Sequence, residues 1–285
     1  MTTVAESIPY ASRRRAGAKA LAFVRRNVLT LYALLAFAYL LLPIAVVVMF
    51  SFNNPAGRFN YTWQGFTFDN WAHWDAVPGL RSAIELSLEI AAISSVLATV
   101  FGTLIALALV RYGFRGRGAT NLLIFLPMST PEIVLGASVL TLFLTMNVSP
   151  GFWTIVIAHI MFNISYVVVT VKARLIGFDR HLEEAAMDLG ANEWVTFSRV
   201  TLPLIAPGIL SALLLAFALS VDDFVITNFN AGTTVTFPLF VWGAARTAVF
   251  PQINVIGTTI FLVAILIMLT NILVQMQRAK RYARA

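Results

Sequence analysis

Glu85, Glu89, Glu132, Asp222 and Asp223 all stand inside or at the ends of strongly apolar stretches. A carboxylate in such a setting is costly and marks a functional position by default. The chemistry it offers is the neutralisation of a cation: a fixed negative charge offsets the hydration that the cation gives up, and weak, separated sites pass it on better than one tight site. Glu132, Asp222 and Asp223 are the candidates for such a path. The competing reading is structural, a carboxylate that pairs with an arginine or caps a broken helix. Covalent chemistry has little to work with, because no lysine or histidine is near these carboxylates in sequence, although folding could bring one close. No cysteine is present, which excludes thiolate nucleophiles and cysteine-held zinc. His73, His159 and His181 lie in different segments without metal-ligand spacing, so no metal site is expected. Lys19, Lys172 and Lys280 follow Ala, Val and Ala, so none belongs to a phosphate-binding loop, and neither G-x-S-x-G nor H-E-x-x-H occurs.

The elements that must position these residues are long apolar runs. They fall at about 29–52, 83–110, 119–146, 152–171, 204–226 and 253–276, and each is long enough for a transmembrane helix. With 59% hydrophobic and 12% charged residues, the chain has too little polar surface for one water-soluble domain. The fold class expected is therefore all-α integral membrane with six transmembrane helices, surrounded by lipid. A net charge of +7 would suggest nucleic acid in a soluble protein, but here the basic residues cluster at the ends of apolar runs. Of the 20 basic residues, all but Arg58, Arg81 and Arg246 fall on one side, which assigns both termini to the cytoplasm. The organisation expected is a cytoplasmic tail 1–28, a first transmembrane helix 29–52, an external loop 53–82, a core 83–276 with five transmembrane helices, and a cytoplasmic tail 277–285. Pro127 and Pro131 should interrupt the third helix beside Glu132. At about 1.5 Å per residue, Glu132 would lie ~20 Å along that helix and Asp222 ~27 Å along the fifth. The external loop carries Tyr61, Trp63, Trp71 and Trp74, which suit a membrane interface or a docking surface.

Residues 177–208 form the most distinctive cytoplasmic segment and read as two short helices. Asp179 can cap the first and Gly190 can end it in the left-handed conformation. Asn192 can cap the second, which is expected to close near Leu202-Pro203. Glu184 and Asp188 share one face, while Ala185 and Ala186 leave room for close approach.

Glu184-Ala185-Ala186, then Gly190, then Val200-Thr201-Leu202-Pro203 resembles the EAA loop of bacterial ATP-binding-cassette (ABC) import permeases, with the pattern E-A-A-x-x-x-G followed by I-x-L-P. Val200 replaces the usual Ile. The resemblance extends over most of residues 83–275. The runs 152–159, 182–190 and 219–227 are most similar to the PotC-type permeases of spermidine/putrescine importers. Residues 1–28 carry no comparable signal.

The resemblance implies a type I-like permease fold in a bacterial inner membrane, with a coupling loop at 177–203 seated in a cleft of a separate ATPase. Glu184, Ala185, Ala186, Asp188, Gly190, Leu202 and Pro203 would carry that coupling. It further implies an ATPase dimer that binds ATP and Mg, a second permease subunit in a heterodimer and an extracytoplasmic substrate-binding protein. The chain itself would hold no cofactor and catalyse no reaction. Polyamines are the implied cargo. A sugar, phosphate or metal ion remains the alternative, as does a secondary transporter working without an ATPase. Glu85 and Glu89 stand where the family leads one to expect uncharged residues, so no role is carried over to them.

Overall fold

The computed structural model describes residues 10–282; the tail residues 1–9 and 283–285, Arg284 among them, lie outside the described residues. The described chain is helical: α1 (Tyr10–Ser51), α2 (Asp69–Ala72), α3 (Leu80–Arg111), α4 (Arg117–Ser129), α5 (Glu132–Thr145), α6 (Phe152–Ile176), α7 (His181–Asp188), α8 (Glu193–Thr196), a π-helical turn Phe197–Thr201, α9 (Leu202–Asp222), α10 (Val225–Asn230), α11 (Phe237–Thr247) and α12 (Pro251–Tyr282). It divides into two compact units, one formed by α1, α2 and α12 with their connections, the other spanning Asp75–Ala248.

In the first unit α1 begins at Tyr10 and continues through the apolar stretch Asn27–Ser51. The loop after it is a folded structure rather than a loose connection. Asn53 is fully buried and ties the loop together, donating to Asn60 Oδ1 and Thr62 O and accepting from Gln64 N. Around it Phe52 stacks on Phe66 and Trp71 at centroid distances of 5.4 and 5.3 Å, with Phe68 edge-on.

The second unit is built on α3, α6 and α9. Small residues let these helices approach, as is usual where lipid supplies no hydrophobic drive between them. Ala98, Ala106, Ala212 and Ala216 are fully buried against Val167, Val168 and Val171. A Cβ on Gly102 would come within 2.6 Å of Val167 Cγ1, so no larger residue fits there without movement.

Among the described residues four helices are long and apolar enough to cross a membrane: Asn27–Ser51, Leu80–Arg111, Phe152–Ile176 and Glu193–Asp222. A fifth crossing is counted if the α4–α5 pair is one broken span, and α12 contributes the shorter apolar stretch Pro251–Ile267. The third helix expected at 119–146, interrupted beside Glu132, is two helices bent by 109°. Thr130 is extended, as the residue before a proline prefers, and Pro131, still outside the helix, is the N-cap of α5. The depth of ~20 Å expected for Glu132 assumes one straight helix and is therefore replaced: Glu132 is the first residue of α5, exposed, at the end whose dipole favours negative charge. The fifth helix also differs, ending at Asp222 instead of Ile226.

Candidate functional site

The elbow between α6 and α9 is shaped by its caps. Asp179 Oδ1 accepts from the His181 backbone N–H at 3.0 Å. It also bonds the His181 ring, which holds the histidine above its ordinary pKa, with Glu184 adding to the effect, and keeps Asp179 below its own. Both partners are exposed, so the pair contributes little to stability. At the other end of α7, Gly190 has φ +88°, its N–H bonds Met187 O and the Ala191 N–H bonds Ala186 O. That pair of bonds is a Schellman close, which a left-handed glycine permits. Asn192 Oδ1 accepts from Val195 N at 2.8 Å and starts α8.

The second helix does not close at Leu202-Pro203. It runs on through the π-helical turn into α9, so that Glu193–Asp222 is one continuous helical stretch. A proline ring would collide with the carbonyl four residues back, here Arg199, and the wider π turn relieves that collision.

Glu184, Ala185 and Asp188 are exposed on this elbow, Ala186 is half-buried, and Leu189 and Trp194 stand 90% and 73% exposed. Apolar side chains so fully open on a capped element suit burial by another surface. Glu183, which sequence reasoning passed over, points the other way. Its Oε1 pairs with Arg111 Nη2 at the end of α3 and accepts from Thr201 Oγ1 in the π turn. Arg180 donates to Val110 O at 3.0 Å. Adjacent helical residues point about 100° apart, so Glu183 and Glu184 cannot share a partner. One acid locks the elbow to the core and the other is exposed. A groove of about 650 Å³ runs beside it, between Leu107, Arg111 and Tyr112 on one side and Trp194 and Phe197 on the other.

At the opposite end of α9 the chain breaks at Asp223, whose carboxylate supplies the next helix with its cap. Oδ2 accepts from Thr227 N and Thr227 Oγ1, both at 2.7 Å. His159, 3% exposed on α6, has Nε2 at 3.2 Å from Asp223 Oδ2 and 2.9 Å from Thr227 Oγ1. Its Nδ1 lies 2.6 Å from Ser220 Oγ, which is 3.0 Å from Ser94 Oγ on α3. Folding thus joins Ser94, His159, Ser220, Asp223 and Thr227 into one buried polar junction across α3, α6, α9 and α10. No sequence spacing signals it, since His159 and Asp223 are 64 residues apart.

The path candidates are therefore placed differently. Asp223 is engaged in the junction, whereas Asp222 is exposed, and neither it nor Glu132 makes an ion pair among the described residues. Glu85 pairs with Arg81 at 2.8 Å on an exposed face. Among the described residues no three His, Asp or Glu side chains gather as metal ligands would.

Two substitutions test the elbow. A Cβ at Gly190 meets no neighbour within 4 Å, so the effect of Gly190→Val comes from forcing a β-branched residue to a positive φ, a cost of about 1–2 kcal/mol. Glu184→Lys reverses the exposed charge. Both variants are expected to reach the membrane at normal levels and to lose ATPase association in pull-down; unchanged association in both would remove the elbow from the coupling.

Comparison with known proteins places this geometry. The family model for the binding-protein-dependent transport system inner membrane component matches residues 98–280. The chain is 36% identical over 239 residues to the spermidine/putrescine transport system permease protein PotC of Haemophilus influenzae, covering 84% of this chain and 92% of the relative. It is 36% identical over 245 residues to PotC of Escherichia coli, covering 86% and 92%. To the putrescine transport system permease protein PotI of Escherichia coli it is 38% identical over 235 residues, covering 80% and 83%. A bacterial ABC transporter involved in the import of the acidic polysaccharide alginate has the same fold, with a TM-score of 0.65 at 16% identity, covering 88% of this chain and 96% of that one.

Proposed function

Because the chain belongs to the family of binding-protein-dependent transport system inner membrane components, we propose that it is the permease subunit of an ABC importer that carries polyamines into the cytoplasm by alternating access. The observation that carries the reading is the elbow, anchored to α3 through Glu183 and Arg111 while Glu184, Leu189 and Trp194 remain open to a partner. Its second half is continuous with α9 over 30 residues, or roughly 45 Å at about 1.5 Å per residue. A push on the elbow by the ATPase therefore reaches the break at Asp222-Asp223 as the displacement of one rigid element.

In this reading the chain crosses the membrane six times, counting α4–α5 and α12, with both termini in the cytoplasm of a bacterial cell. ATP and Mg are bound by a dimer of the separate ATPase. A second permease subunit completes the path, and an extracytoplasmic binding protein delivers the cargo. The polyamine assignment is supported by the names of the relatives and by the exposed carboxylates Asp222 and Glu132, which make no ion pair among the described residues. Expressed with the ABC ATPase of its own genome, the chain is expected to purify with that ATPase in fixed stoichiometry. Cargo movement by the chain without any ATPase would contradict the proposal and favour a secondary transporter.

A further inference from the structure

The groove beside the elbow carries charges that the elbow does not use. Arg111 of α3 and Glu193 of α8 both line its volume of about 650 Å³, together with Leu107, Tyr112, Trp194 and Phe197. Arg111 engages Glu183 and Thr201 through Nη2 alone, and its Nη1 and Nε make no hydrogen bond among the described residues. Glu193 is exposed and pairs neither with Arg111 nor with any other cation among the described residues. Trp194 leaves 73% of its surface open, with its ring centroid 6.0 Å from that of Phe197. One groove thus presents a guanidinium with donors to spare, a carboxylate without a cation and an open indole face.

Its depth narrows the occupant. The stretch Glu193–Asp222 has 30 residues, roughly 45 Å at about 1.5 Å per residue. That matches the ~40–45 Å of a bilayer with its headgroup layers and exceeds the ~30 Å of the hydrocarbon core. With Asp222 at one membrane surface, Glu193 and Trp194 stand in the headgroup layer of the other, which the distribution of basic residues makes the cytoplasmic one. Arg115 and Arg117, exposed and without an ion pair among the described residues, follow Arg111 within six positions and add positive potential there. A phosphate answers Arg111 but leaves Glu193 opposed, so a purely anionic head fits half of the groove. A phosphoethanolamine head fits both halves, because it carries a phosphate and a primary ammonium two carbons apart. A choline head lacks the N–H donors that a carboxylate accepts from.

We propose that the groove seats one phospholipid of the inner leaflet with a phosphoethanolamine head, its phosphate on Arg111 and its ammonium between Glu193 and the face of Trp194. The inference rests on the topology given above. Leu107 and Phe197 supply the apolar wall for the start of the acyl chains, and an indole face attracts the ammonium. Arg111 then braces the elbow twice, directly through Glu183 and through the lipid to α8.

The test uses the chain assembled with its partner permease and ATPase. Native mass spectrometry follows lipid retained as phosphatidylethanolamine, phosphatidylglycerol or phosphatidylcholine of identical acyl chains is titrated in. Phosphatidylethanolamine is expected to bind with a dissociation constant about threefold below those of the other two, the scale of an exposed ion pair. Glu193→Gln should erase that preference by weakening phosphatidylethanolamine about threefold while phosphatidylglycerol binds as before or tighter. Trp194→Leu should weaken phosphatidylethanolamine by a similar factor. A groove covered by the ATPase, or one that lipids fill without regard to their heads, predicts equal constants for the three lipids or a preference that survives Glu193→Gln, and either result overturns the seat. Because the chain has no cysteine, Gly57→Cys gives it one site for a membrane-impermeant maleimide in intact cells. External labelling together with equal lipid constants discards the seat and leaves the topology standing; failure of external labelling discards the topology and the inner-leaflet seat with it.

Discussion

Asp223→Asn is expected to remove most of the protein from the membrane, whereas Asp222→Asn is expected to leave its level unchanged and to lower polyamine uptake. The difference follows from what each carboxylate touches. Asp223 accepts from the Thr227 N–H and hydroxyl and faces His159 Nε2, all at the buried start of α10. An asparagine has one acceptor oxygen and would turn an amide N–H towards one of these donors. Each buried group left unpaired costs about 1–3 kcal/mol. With several groups affected, the total approaches the ~3–5 kcal/mol typical of breaking a buried charge pair. That is a large part of the stability of an ordinary domain. His159→Phe should reproduce the loss, because it abandons the same partners and also Ser220. Asp222 is exposed and makes no ion pair among the described residues, so its neutralisation should act on cargo and spare the fold. Quantified membrane levels beside radiolabelled uptake separate the two effects. Parental levels of Asp223→Asn would show that the junction is not what holds the broken helix.

Glu183→Lys is expected to uncouple ATP hydrolysis from transport. The Arg111–Glu183 pair is partly buried, with side-chain exposures of 28% and 16%, and shares Thr201 between its partners. A charge-assisted contact of this kind contributes about 2 kcal/mol, and the substitution replaces it with repulsion between two cations. The elbow should still dock through its exposed face, so hydrolysis continues while uptake falls on the order of tenfold, given that about 1.4 kcal/mol corresponds to a factor of ten. The exchange Arg111→Glu with Glu183→Arg should restore part of the uptake. A double-mutant cycle with no interaction between the two positions would mean that the elbow is held by other contacts.

These two networks mark where the sequence was readable and where it was not. The caps of the elbow were legible at Asp179, Gly190 and Asn192, because each acts within a few residues of itself. Leu202-Pro203 read as a helix end because proline usually stops a helix, yet the π turn absorbs the conflict and α9 continues. Pro131 announced the break before Glu132, but a proline gives the position of a break and not an angle of 109°. The apolar run through Ile226 masked the break at Asp223, where a side chain that bonds the backbone four residues ahead offers the chain an alternative to helix. Glu183 beside Glu184, and His159 opposite Asp223, owe their roles to partners 72 and 64 residues away. Such pairings are properties of packing, and local pattern does not contain them.

Polyamine import is tested most directly in proteoliposomes that contain the chain with its partner permease, ATPase and binding protein, by following labelled spermidine and putrescine with ATP enclosed on the ATPase side. Accumulation is expected to require ATP and the binding protein, and to fall with the Glu183→Lys variant while ATP hydrolysis persists. Accumulation of a sugar, phosphate or metal ion but of neither polyamine would contradict the cargo, and accumulation of polyamine in the absence of the ATPase would contradict the permease mechanism itself.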